Sequence, residues 1–126
     1  MEHSGILIVD DEAVIAEELA EFLDSYGYPC KKALSVDEAL QVVAEDPSLS
    51  LILTDMRMPG RDGSELIEIL QDMRDRQFEY VMISGHLDAD EDLERINVSD
   101  VTLMRKPIDI EGLLIFLDNL TFTNRS

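Results

Sequence analysis

The sequence has little that would cross-link it or place it in a membrane. Its 126 residues include no tryptophan and a single cysteine. Because a disulfide needs two cysteines, none can form within the chain. No apolar run approaches the roughly 20 residues of a membrane-spanning helix. The start, Met1 to Ser4, also lacks the basic region of a signal peptide. We therefore expect one cytoplasmic domain, long enough to bury a core without disulfides.

Basic residues are scarce as well, at ten against 28 acidic residues, which gives a formal net charge of −18. A surface of this charge repels nucleic-acid phosphates and anionic lipid headgroups, which proteins bind through Lys and Arg. We therefore expect no direct nucleic-acid binding and no membrane binding. A protein partner with a neutral or basic face, or a small cation, is favoured instead.

Short apolar runs alternate with segments of helical periodicity, a pattern typical of βα units around a parallel sheet. Strands are predicted at residues 6–9, 28–33, 51–54, 80–83 and 101–104. Helices are predicted at about 12–26, from the Ser35–Glu38 capping box, at about 64–74, at 87–97 and after Asp109. Pro29 favours a position at the sheet margin for the second strand. The prediction is a single α/β domain with no segment left for an output domain.

The predicted helices differ in the strength of their apolar stripes. The first and third have stripes of four residues each: Ile15, Leu19, Phe22 and Leu23, then Leu66, Ile69, Leu70 and Met73. The segment 87–97 is crowded with acids and has only Leu93 and Ile96 as its main apolar residues. This predicted helix is therefore the weakest of the five.

Three carboxylates follow predicted strands: Asp10 and Asp11 after the first, and Asp55 after the third. Ligands of open α/β sheets bind outside the carboxyl ends of the strands, and those ends share one edge. Three acids gathered there repel one another unless a cation joins them. Oxygen ligands in that number suit Mg²⁺, which commonly lies between carboxylates and a phosphate. The pattern predicts magnesium-dependent phosphate chemistry, with Asp11 as a direct ligand and Asp10 holding a metal-bound water.

Polar groups follow the fourth and fifth predicted strands too, at Ser84 and Lys106. Asp55, alone at its strand end, is the candidate nucleophile toward a phosphoryl group, and Lys106 is a charge suited to a phosphoryl oxygen. Ser84 offers a hydroxyl, and the Gly85 backbone lets a ligand approach closely. Taken singly, these residues have ordinary explanations as helix caps, turn residues, loop hydroxyls or surface lysines. Their joint placement at strand ends favours a site.

The same segments resemble the receiver domain of bacterial two-component response regulators. The residues that carry the resemblance are VDDE at 9–12, LTDMRMPGRDG at 53–63, ISGH at 83–86 and RKP at 105–107. It implies a receiver domain over residues 4–122 and a doubly wound, flavodoxin-like sheet of order 2-1-3-4-5 with helices on both faces. It also implies that Asp55 accepts a phosphoryl group from a sensor histidine kinase or a histidine phosphotransfer protein.

The resemblance assigns further roles around Asp55. Asp10, Asp11 and Asp55, with the Met56 carbonyl, would hold Mg²⁺, while Ser84, Gly85 and Lys106 would contact the phosphoryl group. Arg57 and His86 would tune the lifetime of the phosphate. The Lys106–Pro107 peptide is a candidate for the cis form.

The resemblance also implies how a signal would leave the domain. Phosphorylation would shift the face built from the predicted fourth helix, the fifth strand and the last helix toward a downstream protein target. Receivers often carry Tyr or Phe three residues before the lysine, and here that residue is Leu103. The predicted fourth helix, acidic and poor in apolar residues, also lies on this face, and we therefore expect the switch to be a change of order around residues 87–97.

Other functions stay open at this point. The alternatives are a phosphorelay intermediate, the receiver portion of a longer regulator, and a homodimer. A magnesium-dependent phosphohydrolase also uses an Asp nucleophile, but commonly has a second Asp two residues later, where this sequence has Arg57. A phosphate-independent interaction module is the third class, and the presence of every polar site residue disfavours it.

Overall fold

The computed structural model describes residues 5–58, 60–73, 75–85 and 101–125. His86 and the helix predicted at 87–97 lie outside the described residues. Within that part of the chain there are five strands and four helices. They are β1 (Gly5–Val9), α1 (Ala13–Ser25), β2 (Cys30–Ala33), α2 (Val36–Glu45), β3 (Leu49–Asp55), α3 (Gly63–Gln71), β4 (Glu79–Ser84), β5 (Val101–Arg105) and α4 (Ile110–Arg125).

The five strands form one parallel sheet in the order β2-β1-β3-β4-β5. This confirms the predicted order and the marginal position of the strand that follows Pro29. In the register of the sheet, Val9 pairs with Thr54, and Asp55 pairs with Ile83. The polar residues that end β1, β3 and β4 therefore lie side by side at one edge.

Successive strand residues face opposite sides of the sheet, so each buried strand contributes to two cores. One core contains Leu7, Ile52 and Met82 and is covered by α2 and α3. The other contains Ile8, Leu53 and further residues from α1 and α4. Helices therefore cover both faces, as predicted, and strands buried on both sides explain the nearly continuous apolar runs in the sequence.

Local signals fix several helix ends. The Ser35 hydroxyl accepts from the Glu38 N–H at 3.1 Å, and the Glu38 carboxylate accepts from the Leu34 N–H at 2.5 Å. This is a capping box whose return bond reaches one residue further back than usual. Gly27, just after α1, has φ +90°, a conformation that residues with a Cβ rarely adopt. Both signals confirm the predicted boundaries to within a residue or two.

Two apolar stripes were predicted in part wrongly. Ile15 is 36% exposed and Phe22 only partly buried, whereas Ala16 and Ala20 are buried in α1. In α3 Leu66 and Leu70 are buried as predicted, but so is Ile67, which the predicted stripe omitted, whereas Ile69 is only partly buried. Small alanines and a second apolar residue on the same turn allow the helix to rotate toward the sheet, which periodicity alone does not fix.

One arginine joins α2 to the strand after it. Arg76 donates Nη1–H to the Val43 carbonyl at 2.5 Å, and its Nη2 donates to the Asp46 and Leu49 carbonyls, both at 3.1 Å. The guanidinium also lies 4.7 Å from the centre of the Phe78 ring. These bonds satisfy carbonyls at the C-terminal end of α2 and lock it to the start of β3.

Candidate functional site

Three carboxylates meet at the carboxyl edge of the sheet. Oxygen atoms of Asp10, Asp11 and Asp55 lie within 4.8 Å of one another. Asp10 and Asp55 are each 7% exposed, because they continue strands that are covered on both faces, whereas Asp11 is exposed. The structure thus brings together the three acids that the sequence predicted to converge.

The surroundings of Asp10 disfavour the ionised form of its carboxyl group. Burial raises the pKa of the Asp10 carboxyl above its ordinary 3.8, and the nearby Asp55 and Asp11 carboxylates raise it further. The Glu12 backbone N–H, which donates to Asp10 Oδ1 at 2.9 Å, and the Lys106 charge oppose this rise in pKa. A cation bound at the cluster would offset the repulsion between this buried carboxylate and its two neighbours.

Lys106 provides a cation at this edge. Its Nζ lies 3.2 Å from Asp55 Oδ2, with the lysine side chain 39% exposed and the aspartate side chain 8% exposed. The Lys106 backbone N–H donates to the Ser84 carbonyl at 2.9 Å, which aligns the ends of β4 and β5. The Lys106–Pro107 peptide is cis, as the resemblance implied. Lys106 and Asp55 therefore meet across 51 residues of sequence.

Ser84 and Gly85 lie at the end of β4 beside this ion pair. The Ser84 side chain is buried, whereas Gly85 is exposed. A Cβ added at Gly85 would lie 3.5 Å from Lys106 Cδ, an ordinary contact distance. Gly85 therefore borders the Lys106 side chain, and its role as a phosphoryl contact stays a prediction.

The loop after β3 is tied back to Asp55 by contacts that the sequence reasoning missed. Gly63, the first residue of α3, donates its N–H to the Met56 carbonyl at 2.8 Å, and a Cβ on Gly63 would overlap the Asp55 carbonyl oxygen. The buried Thr54 hydroxyl donates to that same Asp55 oxygen at 3.0 Å. Only the DG dipeptide that opens α3 in the sequence pointed toward this packing.

The Met56 carbonyl was predicted to be a metal ligand. In the structure it accepts the Gly63 N–H, and the Met56 side chain is fully buried. Arg57, predicted to tune the phosphate lifetime, is exposed and lies two residues after Asp55 in the sequence. A carbonyl oxygen has two lone pairs, so this hydrogen bond does not exclude metal binding, and the role of the Met56 carbonyl stays a prediction.

Comparison with known proteins decides the family. The family model described as "Response regulator receiver domain" matches residues 6–118. The chain belongs to the response regulator receiver domain family. Members of this family are phosphorylation-dependent signalling modules that bind Mg²⁺ at an acidic site, and the cluster of Asp10, Asp11 and Asp55 fits that site.

Individual relatives agree with this assignment. The receiver is 31% identical over 120 residues to the two-component response regulator PprB of Pseudomonas aeruginosa, covering 94% of this chain and 44% of PprB. It is 33% identical to sporulation initiation phosphotransferase F of Bacillus subtilis, covering 90% of each protein. The crystal structure of a response regulator receiver protein from Pseudomonas putida matches with a TM-score of 0.83 and 28% identity, covering 94% of this chain and 98% of that one.

The lengths of these relatives differ. The receiver spans less than half of PprB and 25% of the response regulator PilR of Pseudomonas aeruginosa, yet nearly all of phosphotransferase F. Receiver domains thus occur both within longer regulators and as short proteins. Among the helices that the structure describes, none combines the length and apolarity needed to cross a membrane.

Proposed function

We propose that Asp55 is the residue that accepts the phosphoryl group in this receiver domain. The observation that carries the proposal is the geometry at Asp55. Its buried carboxylate lies within 4.8 Å of two further carboxylates and 3.2 Å from the Lys106 ammonium. A nucleophile set between a candidate metal site and a fixed cation is the arrangement that phosphoryl transfer requires.

The acidic cluster fits Mg²⁺ by the chemistry of its donors. Carboxylate oxygens are the ligands that Mg²⁺ prefers, and opposite ligands of this ion are about 4.2 Å apart. The carboxylate oxygens, which lie within 4.8 Å of one another, therefore need only small side-chain movements or an intervening water to bind one ion. We propose Asp11 and Asp55 as direct ligands and Asp10 as the holder of a metal-bound water. A bound ion would supply positive charge that offsets the charges of the carboxylate and of the incoming phosphoryl oxygens.

The chemistry of the transfer then follows from this chain's own groups. A carboxylate oxygen of Asp55 attacks phosphorus, the bond between phosphorus and the donor's histidine nitrogen breaks, and the imidazole leaves with the electron pair and takes a proton. Lys106, which pairs with Asp55 before transfer, can pair with a phosphoryl oxygen afterwards. Ser84, at the neighbouring strand end, donates its hydroxyl to another phosphoryl oxygen. Gly85, beside Lys106, provides a backbone contact.

The partners follow from the same reaction. A sensor histidine kinase or a histidine phosphotransfer protein supplies the phosphoryl group, and a downstream protein target reads the face that includes β5 and α4. The similarity to phosphotransferase F over 90% of both chains supports a phosphorelay intermediate, whereas PprB and PilR support the receiver portion of a longer regulator. Homodimerisation, a cytoplasmic location and the roles of Arg57 and His86 stay predictions.

Turnover of an external phosphate ester is the competing function. The residue two positions after Asp55 is Arg57, which cannot act as the acid or base that phosphohydrolases of this kind place there. We therefore propose a switch that cleaves only its own phosphate. The domain bounds, residues 4–122, extend the family match at residues 6–118 by a few residues at each end.

Phosphorylation with phosphoramidate tests this function, because that donor has the nitrogen–phosphorus bond of phosphohistidine. With Mg²⁺, the wild type should gain the mass of one phosphoryl group at Asp55, and it should gain none with EDTA. Asp55→Asn should remain unmodified. Asp62→Asn is the matched control, since Asp62 caps α3 in the same loop through the Glu65 N–H at 3.1 Å and asparagine can keep that bond.

Two results would contradict the proposal. One is a phosphoryl group that persists in Asp55→Asn at the wild-type level. The other is sustained hydrolysis of p-nitrophenyl phosphate by the wild type, which would favour the phosphohydrolase.

A further inference from the structure

The backbone of Asp55 is held by a hydroxyl group from the residue before it. Thr54 is fully buried, and its Oγ1–H donates to the Asp55 carbonyl oxygen at 3.0 Å. The Met56 N–H, which belongs to the same peptide group as that carbonyl, donates to the Ile83 carbonyl at 2.9 Å. Both polar atoms of this peptide group are therefore hydrogen-bonded, one to a side chain and the other to the neighbouring strand. Because a peptide group is planar, bonds at both of its polar atoms fix the orientation of its plane.

The start of α3 packs closely over the Thr54 hydroxyl. A Cβ added to Gly63 would lie 3.1 Å from Thr54 Oγ1 and would overlap the Asp55 carbonyl oxygen. The Gly63 N–H also donates to the Met56 carbonyl, the next one along the chain, at 2.8 Å. The packing therefore leaves little room for the Asp55 carbonyl to turn away from the hydroxyl that holds it.

The Thr54 side chain acts on the site through the backbone alone. Successive residues of a strand face opposite sides of the sheet. Thr54 borders Gly63 on the side of β3 that α3 covers. The Asp55 carboxylate lies on the other side, with Oδ2 3.2 Å from Lys106 Nζ. The hydroxyl is therefore a ligand neither of the phosphoryl group nor of the metal, and any effect of Thr54 on the reaction must pass through the Asp55 peptide group.

We propose that Thr54 is a positioning residue for phosphoryl transfer, because its hydroxyl fixes the peptide group that sets the direction of the Asp55 side chain. The proposal rests on the proposed role of Asp55 as the phosphoacceptor. A carboxylate oxygen must meet phosphorus in line with the leaving nitrogen, and a misplacement of about 1 Å can slow such a reaction about 100-fold. By restraining the backbone, the hydroxyl keeps the carboxylate in orientations that can react.

Thr54→Val tests the proposal, because valine keeps the branched shape of threonine and removes the hydroxyl. The assay is labelling by phosphoramidate at saturating Mg²⁺, measured by mass over a range of phosphoramidate concentrations. One neutral hydrogen bond changes an equilibrium by about two- to tenfold, so we expect the maximal labelling rate constant to fall by about three- to tenfold. The phosphoramidate concentration at half-maximal rate should stay within about twofold, because no group that binds the donor is altered.

Ile52→Val is the matched control for stability alone. Ile52 is fully buried two residues earlier and faces the same side of β3. Its lost methylene lowers stability by an amount similar to the loss of one hydrogen bond, but the Thr54 hydroxyl stays in place. Both labelling parameters should therefore keep their wild-type values, whereas urea unfolding should show that Ile52→Val and Thr54→Val are both destabilised.

Thr54→Ser and Thr54→Ala form a second pair, which differs in the hydroxyl alone. Serine loses the methyl group and keeps the donor, so its maximal rate constant should stay within about twofold of the wild type. Alanine loses both groups and should show the same slow labelling as Thr54→Val. This pair also decides the question if the valine variant does not fold.

The outcomes separate positioning from a structural role. A lower maximal rate constant in Thr54→Val and Thr54→Ala, but not in Thr54→Ser or Ile52→Val, supports the proposal. Wild-type labelling by folded Thr54→Val overturns it, as does an equal loss in the serine and alanine variants or a change confined to the half-saturating concentration. Labelling that is absent from the wild type, or that persists in Asp55→Asn, would instead refute the proposed function.

Discussion

Replacement of Asp10 by asparagine should make the metal-free receiver more stable, although it removes a residue of the functional site. Asp10 is 7% exposed, and one of its oxygens lies within 4.8 Å of an Asp55 oxygen. Two unit charges at that distance repel by about 3 kcal/mol at an effective dielectric constant of 20. Asparagine removes the charge and keeps an oxygen that can accept the Glu12 N–H, now bonded at 2.9 Å.

The expected gain is smaller than this repulsion, because Lys106 attracts the Asp10 charge and the substitution loses that attraction as well. A net stabilisation of about 1–2 kcal/mol in EDTA is therefore expected. For a domain of this size that corresponds to a rise in Tm of about 3–8 °C. Added Mg²⁺ should narrow this difference in stability between the variant and the wild type. At tenfold its Kd, the ion stabilises the wild type by about 1.4 kcal/mol, and the variant should gain less than half of that.

Thermal unfolding followed by circular dichroism, with EDTA and with Mg²⁺, measures both effects. Asp75→Asn is the control for charge alone, since Asp75 lies exposed in a turn away from the carboxyl edge. It should change Tm little and keep the full magnesium shift. A variant at Asp10 no more stable than the wild type in EDTA would refute the repulsion argument. An undiminished magnesium shift would refute the role of Asp10 at the metal.

Three further predictions concern the pH dependence of stability, the loop after β3, and the different contributions of Arg76 and Arg61. In EDTA, the difference in Tm between Asp10→Asn and the wild type should be absent below pH 3.8 and should grow as the pH rises above that value. The pKa of Asp10 is higher in the folded protein than in the unfolded chain, so the Asp10 carboxyl of the unfolded chain loses its proton at lower pH. Thermal melts across pH check this. Gly63→Ala should cost about 1–3 kcal/mol, because the new Cβ overlaps the Asp55 carbonyl, and should slow labelling by phosphoramidate; stability and labelling left at wild-type values would count against that packing. Arg76→Ala should cost about 2–3 kcal/mol in urea unfolding through its lost charged hydrogen bonds. The exposed ion pair of Arg61, at 3.6 Å, should be worth under about 0.5 kcal/mol when Arg61 is replaced by alanine; equal effects for the two arginines would contradict this ranking.

The arrangement of the sheet and the convergence of the acids could be predicted from the sequence for a definite physical reason. Strands buried on both faces must be apolar throughout, so the first polar residue after each run marks its carboxyl end. Asp10 and Asp55 are the first such residues after their runs, and Lys106 follows one residue after Arg105, the first polar residue after Met104. Capping at Ser35 and the turn at Gly27 were equally predictable, because each rests on hydrogen bonds or dihedral angles within a few residues.

Contacts between distant segments were not predictable in the same way. Nothing in the local sequence says that Arg76 reaches three carbonyls about 30 residues away, or that the Tyr28 hydroxyl bonds Asp118 in α4. The orientation of α1 about its own axis leaves Ile15 partly exposed. This orientation depends on how closely the alanines of the helix approach the sheet. These features follow from the packing of whole elements, and sequence periodicity constrains that packing only to within part of a helical turn.

The departure at Leu103 bears on how phosphorylation would be read. Leu103 pairs with Met82 in the sheet and packs, partly buried, against the core on the α2 and α3 side. Its side chain has no hydroxyl that could exchange a hydrogen bond on moving inward, so only packing holds it in place. Lys106 follows three residues later and is bonded through its backbone N–H to the Ser84 carbonyl at 2.9 Å. Because Lys106 would change partners from Asp55 to the phosphoryl group, we expect β5 and the segment that leads to α4 to be displaced. This displacement would accompany the change of order predicted around residues 87–97, and no aromatic side chain would need to rotate.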